Sequence, residues 1–411
     1  MRWQHLQSEH YTDERFTCTR PKWLQCIIAH CHAVPHRNEN NREGIKLPSH
    51  PLFNRFFRGL ALLGFSLAAP GLAAQELTVV SWGGAFARAL EEAIIKPFEA
   101  ETGIEVRMED YNGGLAQIRA QVESGSVFWD VVDVELFDGV RGCEEGLFEP
   151  LDLSILAAAP DGGAAEDDFF PDTLGECGLG SIFYSTVFAY NNETMGDRKP
   201  ETIADFFDLE NFPGRRGMRR SPLANLEFAL MADGVPAAEV YAVLDTDEGV
   251  DRAFDKLDTI KDEVIWWQVG AQPPQLLADG EVVMTTAYNG RIFNAQVLEN
   301  QPFVVVWDGQ VLDSGQFAIV AGTERFEAAQ RFIAFSSRPE SLAGLSRYIA
   351  YSPARRSAES LISTHLETGV DMRPHMPNTP ENTTRVVRND WAWWSENADD
   401  MNERFVAWLL R

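Results

Sequence analysis

Residues 76–86 read Glu-Leu-Thr-Val-Val-Ser-Trp-Gly-Gly-Ala-Phe, and the fold follows from how this stretch is read. The apolar run 77–80 has the composition of a strand, and Ser81-Trp82-Gly83-Gly84 ends it. A helical pattern follows at once, with Phe86, Leu90, Ile94 and Phe98 spaced four apart and Gly103 closing it. Ile104, Val106 and Met108 then alternate with polar residues, the period of a second strand. Asn112-Gly113-Gly114 turns the chain into a helix bearing Leu115, Ile118 and Val122, and residues 127–134 form a short, nearly continuous apolar run. Strand, helix, strand, helix, strand in this order implies a parallel sheet covered by helices, an α/β fold.

What precedes the stretch has a different character. Residues 51–74 carry Arg55 and Arg58, a short apolar core at 59–69 and small residues at 71–74. That is the anatomy of a secretory signal cleaved after Ala73 or Ala74, and its core is too short to cross a bilayer as a stable helix. Export to an oxidising periplasm is the expectation. Residues 1–50 are rich in His, Arg, Asn and Cys without periodicity. They read as an extension outside the natural product, with translation starting near residues 45–47. Cys26, His30, Cys31 and His32 lack the paired spacing of a structural zinc site.

The chain of 411 residues is long enough for two full cores. It carries 35 Lys and Arg against 62 Asp and Glu, net −27. Such a surface repels nucleic acid and anionic lipid, whose affinities depend on phosphate neutralisation. Cys143 and Cys177 are the cysteines that remain after the signal. In an oxidising compartment the pair reads as a disulfide, which would contribute ~3–4 kcal/mol on the chain-entropy model. The rival reading, a reactive thiol, needs a basic partner, and His365 and His375 lie far along the chain.

Further along, residues 180–190, 264–267, 282–288, 304–307 and 317–320 are strand-like, and residues 205–219 read as a short helix and a turn. Helical patterns follow residues 272–274 and 289–291, and the tail 384–410, with Trp391, Trp394, Phe405 and Trp408, reads as largely amphipathic helix packing its aromatics. Strand-to-helix junctions bearing an aromatic recur at Trp82, Trp267 and Tyr288. In open α/β sheets ligands bind beyond the carboxyl ends of the strands, which makes Trp82, Glu135 and Asp138 neighbours by topology. The spacing of a dinucleotide loop, a Walker motif, HExxH and GxSxG are all absent. Aromatics and acids at strand ends suit holding a small polar solute better than transforming it.

With these residues in view, the chain resembles the family-1 extracellular solute-binding proteins, and within them the spermidine/putrescine-type subunits of ABC importers. The likeness rests on LTVVSWGGAF at 77–86, KPFEAETGI at 96–104, WDVVDVE at 129–135, FPGRRG at 212–217, LADGEVVMTTAYNGRIF at 277–293 and LDSGQFAIV at 312–320. It implies a two-lobed type II periplasmic binding fold, monomeric, that closes about two hinge crossovers and delivers its solute to permease subunits in the inner membrane. It implies lobe one at 75–189 plus 315–370, lobe two at 190–314 plus 371–411, and crossovers near 189–192 and 314–317. It implies ligand contacts at Trp82, Glu135, Trp267, Tyr288 and Asp313, with no metal and no cofactor.

One departure from the polyamine pattern stands out. Where polyamine binders carry acids in the turn of the second lobe, residues 220–224 read Arg-Ser-Pro-Leu-Ala. Arg291 follows Tyr288 and either pairs with a neighbouring acid or faces the cleft. In the second case Glu135 and Asp313 with Arg291 would suit a zwitterion. A sugar binder of the same fold, a cysteine-dependent thiamine-degrading type of enzyme and a ferric-ion binder are the alternatives. The last lacks the adjacent tyrosines it would need.

Overall fold

The computed structural model describes residues 76–411. The expected extension 1–50, its three cysteines and the signal at 51–74 lie outside the described residues. Eight principal strands form one sheet in the order β2-β1-β3-β8-β4-β7-β5-β6. They are β1 (Glu76–Ser81), β2 (Glu105–Asp110), β3 (Val131–Glu135), β4 (Gly178–Asn191), β5 (Arg216–Arg219), β6 (Val264–Trp267), β7 (Met284–Tyr288) and β8 (Phe303–Ile319). Strands β2, β1 and β3 are parallel to one another, as are β7, β5 and β6. Between these two parallel triplets, β4 and β8 pair antiparallel with each other and flank the triplets antiparallel. Each triplet with its helices is one lobe, and β4 and β8 run through both.

The first lobe is built as its sequence pattern directs. Helix α1 (Gly84–Leu90) continues through a π-turn (Glu91–Ile95) into α2 (Lys96–Thr102), and Gly103 ends the run in a left-handed conformation. Phe86, Leu90, Ile94 and Phe98 are all buried on one face, against Phe317 and Phe332. Phe98 meets Phe332 and Phe335 edge to face, with centroids 5.4 and 5.6 Å away. Burial of each such ring contributes roughly 1.5–3 kcal/mol. Helix α3 (Ala116–Ser124) follows β2, and α4 (Leu136–Glu144) follows β3.

The second lobe has its own core, with Phe206, Phe228, Leu230, Phe254 and Ile260 buried together. The last helix, Trp391–Leu409, adds Trp394, Phe405 and Trp408 to it, so the tail aromatics are packing residues. Glu227 is fully buried in this core. Its Oε1 accepts from Tyr241 Oη and Trp394 Nε1, each at 2.9 Å, while Oε2 has no partner. Arg216, also buried, donates to the carbonyls of Phe206, Gly214 and Phe212, which makes it a structural arginine. No helix among the described residues is long and apolar enough to cross a membrane.

Two expectations change. The strand-like runs at 304–307 and 317–320 belong to a single 17-residue strand, β8. The turn signal between them is a bulge in the pairing with β4, where Gly309 takes a φ of 76°. Residues 216–219, read as part of a turn, form β5 with Met218 fully buried.

Burial pushes the Glu227 carboxyl from its ordinary value up to about 7. The folded protein therefore holds this proton more tightly than the unfolded chain. Stability from the group is full below about pH 4.5 and is lost as the pH rises through about 7. Glu227→Gln keeps the acceptor and removes the buried charge. Calorimetry should place its melting temperature roughly 2 °C or more above wild type at pH 8 and level with it at pH 5. A lower value at pH 8 would show that the charge itself stabilises the core.

Candidate functional site

The sheet order brings the carboxyl ends of both triplets to the middle of β4 and β8. Glu135 lies opposite Gly315, and Gly315 opposite Ile182. Tyr288 lies opposite Thr186. Ile182 and Thr186 are four residues apart on one strand, about 13 Å. Side chains that follow β1, β3, β5 and β7 therefore converge from two lobes on one short length of backbone.

An inner cavity lies at this convergence. Trp82, Phe86, Tyr184, Tyr288 and Tyr351 form aromatic walls, and Asp133, Glu135, Arg291 and Gly315 supply the polar and open faces. Its free volume is about 30 Å³, space for a water or two and too little for an organic solute. On the other side of Glu135 lies a cleft of about 550 Å³, with Gly113, Asp138, Arg219 and Ser221 among its walls and the last helix along one edge. Glu135 borders both spaces.

The charges at the site are arranged across the lobes. Arg219, at the end of β5, donates from Nη1 to Glu135 Oε1 at the end of β3, 3.0 Å away. The two side chains are 15% and 6% exposed, so this is a buried interlobe ion pair. Tyr184 Oη stands 3.5 Å from the same carboxylate oxygen and 3.3 Å from Asp313 Oδ2. Asn389 donates to Asp313 Oδ2 at 2.7 Å, fixing that carboxyl from the segment before the last helix. The Arg219 guanidinium also lies 5.9 Å from the centroid of Tyr288.

Arg291, from the helix Asn289–Leu298, crosses the cleft in the same way. It donates to the carbonyls of Gly83 (2.7 Å) and Trp82 (3.2 Å), and its Nε is buried without a partner. The approach depends on Gly84, whose φ is 57°: a Cβ there would stand 2.8 Å from Arg291 Nη1. The two glycines after β1 are thus the seat of the arginine as well as a tight turn.

Three further carboxyls feel the low polarity. Burial, with a smaller push from Glu135, holds Asp133 well above the usual carboxylate range, against a 3.3 Å hydrogen bond from Ser81. Burial and then the charge of Glu135 push Asp138 up to about 7 and Asp313 up to about 8. Cys143 and Cys177 are joined, with Cα atoms 5.7 Å apart, and tie the end of α4 to the start of β4. Both cysteines of the described residues are therefore in the disulfide, which leaves no thiol there for the cysteine-dependent alternative. Among the described residues no group of three His, Cys, Asp or Glu is placed to hold a metal ion.

Of the residues singled out in the sequence, Trp82, Glu135, Tyr288 and Arg291 line the inner cavity. Arg291 forms no salt bridge among the described residues and binds carbonyls instead. Trp267 is 1% exposed and lies behind Tyr288, edge to face at 5.7 Å, and borders neither space. Asp313 also stands one layer back, behind Tyr184. Sequence reading missed Arg219, Asp133 and Tyr184. FPGRRGMRR at 212–220 places two arginines, Arg219 and Arg220, together after Met218, and nothing in that run marks Arg219 as the last residue of a strand.

Comparison with known proteins agrees with this architecture. Residues 93–378 match the profile described as Bacterial extracellular solute-binding protein. The gamma-aminobutyric acid-binding protein of Pseudomonas aeruginosa is 42% identical over 356 residues, 86% of this chain and 97% of that protein. Among solved structures, the PBP MotA from A. tumefaciens B6 in complex with glucopine is 31% identical, with a TM-score of 0.74 over 82% of this chain and 100% of that one. The Atu4243-GABA receptor is 30% identical, with a TM-score of 0.69 over 82% and 98%. The chain belongs to the bacterial extracellular solute-binding proteins, with their two-lobed fold. It is a solute carrier and not an enzyme. Spermidine/putrescine-type binding proteins are also among the similar solved structures, at 18% and 20% identity, and at that distance they show the shared fold.

The Arg219–Glu135 pair makes a testable statement about the energetics. Removing one partner of a buried pair leaves an uncompensated charge and costs ~3–5 kcal/mol, whereas replacing both by apolar residues is often close to neutral. In urea denaturation without ligand, Arg219→Leu should be clearly less stable than the Arg219→Leu/Glu135→Leu double variant. Equal losses would show that the two charges are not coupled.

Proposed function

We propose that the protein is the periplasmic binding subunit of an ABC importer and that its solute is a small zwitterion of the γ-aminobutyric acid class. The observation that carries this reading is the pairing of opposite charges within one aromatic cavity. Asp133 and Glu135 stand on β3, and Arg291 reaches in from the other lobe with a buried, unpartnered Nε. A ligand carboxylate takes Arg291, with Arg219 beside the same acids, and a ligand ammonium takes the carboxylates of β3. Trp82, Tyr184 and Tyr288 cover the methylene chain, which is what aromatic faces do for an apolar stem between polar ends.

A polyamine fits less well. Its second ammonium would meet the two arginines, and like charge in a site of low polarity is costly. The relatives that bind γ-aminobutyric acid support the same class. A larger amino-acid derivative, as in the glucopine complex of MotA, is the second reading. It is favoured by the cleft of about 550 Å³ that shares Glu135 with the inner cavity.

The inner cavity admits no organic solute as it stands, so the solute enters with the lobes apart and the hinge in β4 and β8 closes on it. The lobes in this proposal are 75–189 with 315–370 and 190–314 with 371–411, and the signal ending near Ala73 or Ala74 delivers the chain to the periplasm. Trp267 and Asp313 act from behind, by backing Tyr288 and Tyr184.

Isothermal titration with γ-aminobutyrate, butyrate and putrescine tests the reading. Losing a charge-assisted bond to a buried partner costs ~2–3 kcal/mol, so each single-type ion should bind about 100-fold more weakly than the zwitterion. Putrescine binding more tightly than γ-aminobutyrate would return the protein to the polyamine class. Trp82→Ala should weaken binding of the zwitterion about 10-fold while leaving the melting temperature of the empty protein unchanged. Unchanged affinity would move the ligand away from the first strand's turn.

A further inference from the structure

The outer cleft carries a cation that the solute reading leaves unused. Four arginines line it, Arg119, Arg141, Arg219 and Arg220, against three carboxyls, Glu135, Asp138 and Asp399. In a chain of net charge −27, an excess of arginine on one wall runs against the composition. Glu135 is taken by Arg219 and Asp399 by Arg141, while Arg119 pairs with Glu145 outside the wall. Asp138 accepts from the Gly114 amide at 3.2 Å, and burial with the nearby Glu135 charge pushes it up to about 7. Arg220 is the one arginine of this wall without a carboxylate partner among the described residues. Its backbone is held firmly. The Arg220 amide donates to the Trp267 carbonyl at 2.7 Å, which extends the pairing of β5 with β6 by one residue. The buried Asn225 donates from Nδ2 to the carbonyls of Arg219 and Ser221, each at 2.7 Å, and so clamps the turn on both sides of Arg220. Ala224 completes that turn with a left-handed φ of 65°, a conformation uncommon outside glycine.

We infer that the outer cleft is a second subsite, where Arg220 binds a second carboxylate of the solute. The solutes admitted then include conjugates in which an acidic arm is attached to the amino nitrogen of a γ-aminobutyrate-like zwitterion. The inference rests on the zwitterion reading above and adds the chemistry of the arm. Glu135, which in that reading meets the ammonium, borders both spaces, so an arm on that nitrogen leads from the inner cavity into the outer cleft. A secondary ammonium keeps two N–H donors for the carboxylates of β3. The outer cleft also has the room. Its volume of about 550 Å³ lies within the range of roughly 300–1,000 Å³ usual for small-molecule sites. A guanidinium offers a planar fork that matches both oxygens of a carboxylate. An amide arm would gain no bond between opposite charges, and an ammonium arm would meet Arg219 and Arg220 as like charges. Arg220 thus acts as a specificity-determining residue for the arm, apart from the groups that hold the zwitterion itself.

Titration calorimetry of wild type with γ-aminobutyrate and with three of its conjugates, bearing an N-linked propionate, propionamide or aminopropyl arm, is the first test and needs no variant. The propionate conjugate should bind at least about 10-fold more tightly than the propionamide, the scale of one charge-assisted hydrogen-bond set at a partly exposed arginine. The aminopropyl conjugate should bind most weakly. In Arg220→Gln the preference for propionate over propionamide should vanish, and Arg220→Lys should restore part of it, because the ammonium keeps the charge and loses the fork. Melting temperatures of the empty variants separate lost binding from lost folding. Equal affinity of wild type for the propionate and propionamide conjugates overturns the inference, as does an unchanged preference in Arg220→Gln. Either result leaves the zwitterion reading standing where γ-aminobutyrate itself binds. Tightest binding of the aminopropyl conjugate also overturns it, since Asp138 would then govern the cleft. Binding of the propionate conjugate without binding of γ-aminobutyrate upholds the subsite and overturns γ-aminobutyrate as the solute. Failure of wild type to bind any of the four compounds overturns both.

Discussion

The antiparallel pairing of β4 with β8 governs the rest of the molecule, because two parallel triplets attach to it from opposite sides and in opposite directions. A parallel strand-helix unit delivers its loop at the carboxyl end of its strand. When two such sets face each other through a shared antiparallel pair, their carboxyl ends meet in the middle. Glu135 reaches β8 at Gly315 and Tyr288 reaches β4 at Thr186. The same two strands form two of the covalent links between the lobes, a third running ahead of the last helix, so the place where side chains converge is also a place that bends. A binding site anywhere else on this sheet would lie on one lobe and gain nothing from closure.

That placement imposes an electrostatic problem that the sequence solves in a particular way. Asp133, Glu135, Asp138 and Asp313 are gathered where water is scarce. An isolated carboxylate there would be expensive, and burial does raise Asp133, Asp138 and Asp313. Glu135 escapes isolation through Arg219. Because those two residues belong to different lobes, the remedy for a buried charge is at the same time a tie between the lobes. Arg291 repeats the device with carbonyls in place of a carboxylate. The cationic groups therefore differ in kind: Arg216 spends its donors within one lobe and stabilises it, whereas Arg219 and Arg291 act across the gap.

How much of this was legible in the sequence follows from what each residue announces. Trp82, Glu135 and Tyr288 stand at junctions where an apolar run turns into a helix, and such junctions fix the end of the strand to which a side chain belongs. Trp267 stands at a similar junction, yet its ring packs inward behind Tyr288, because a junction fixes position along the strand and not the face on which the ring lies. Arg219 was hidden because β5 is only four residues long and two of them are arginines, a composition that reads as a turn. It becomes a strand only through the neighbours it pairs with, β6 and β7. Asp133 was hidden for the converse reason. It lies inside an apolar run, and its orientation toward the cavity depends on the register of β3 against β8.

The inner cavity of about 30 Å³ and the Arg219–Glu135 pair together indicate what closure without an organic solute costs and gains. In that state Glu135 itself is the anion beside Arg219. A solute with a single cationic charge would compete for Glu135 and strand the arginine, and a single anion would do the reverse. In the proposed reading, a molecule carrying both charges divides the pair and satisfies each member in one event, with Asp133 and Arg291 beside the same two ends. In the same reading, the protein's own ion pair therefore sets a threshold that favours solutes bearing both signs. Selectivity arises from the partner a solute would leave unpaired as much as from the contacts it forms.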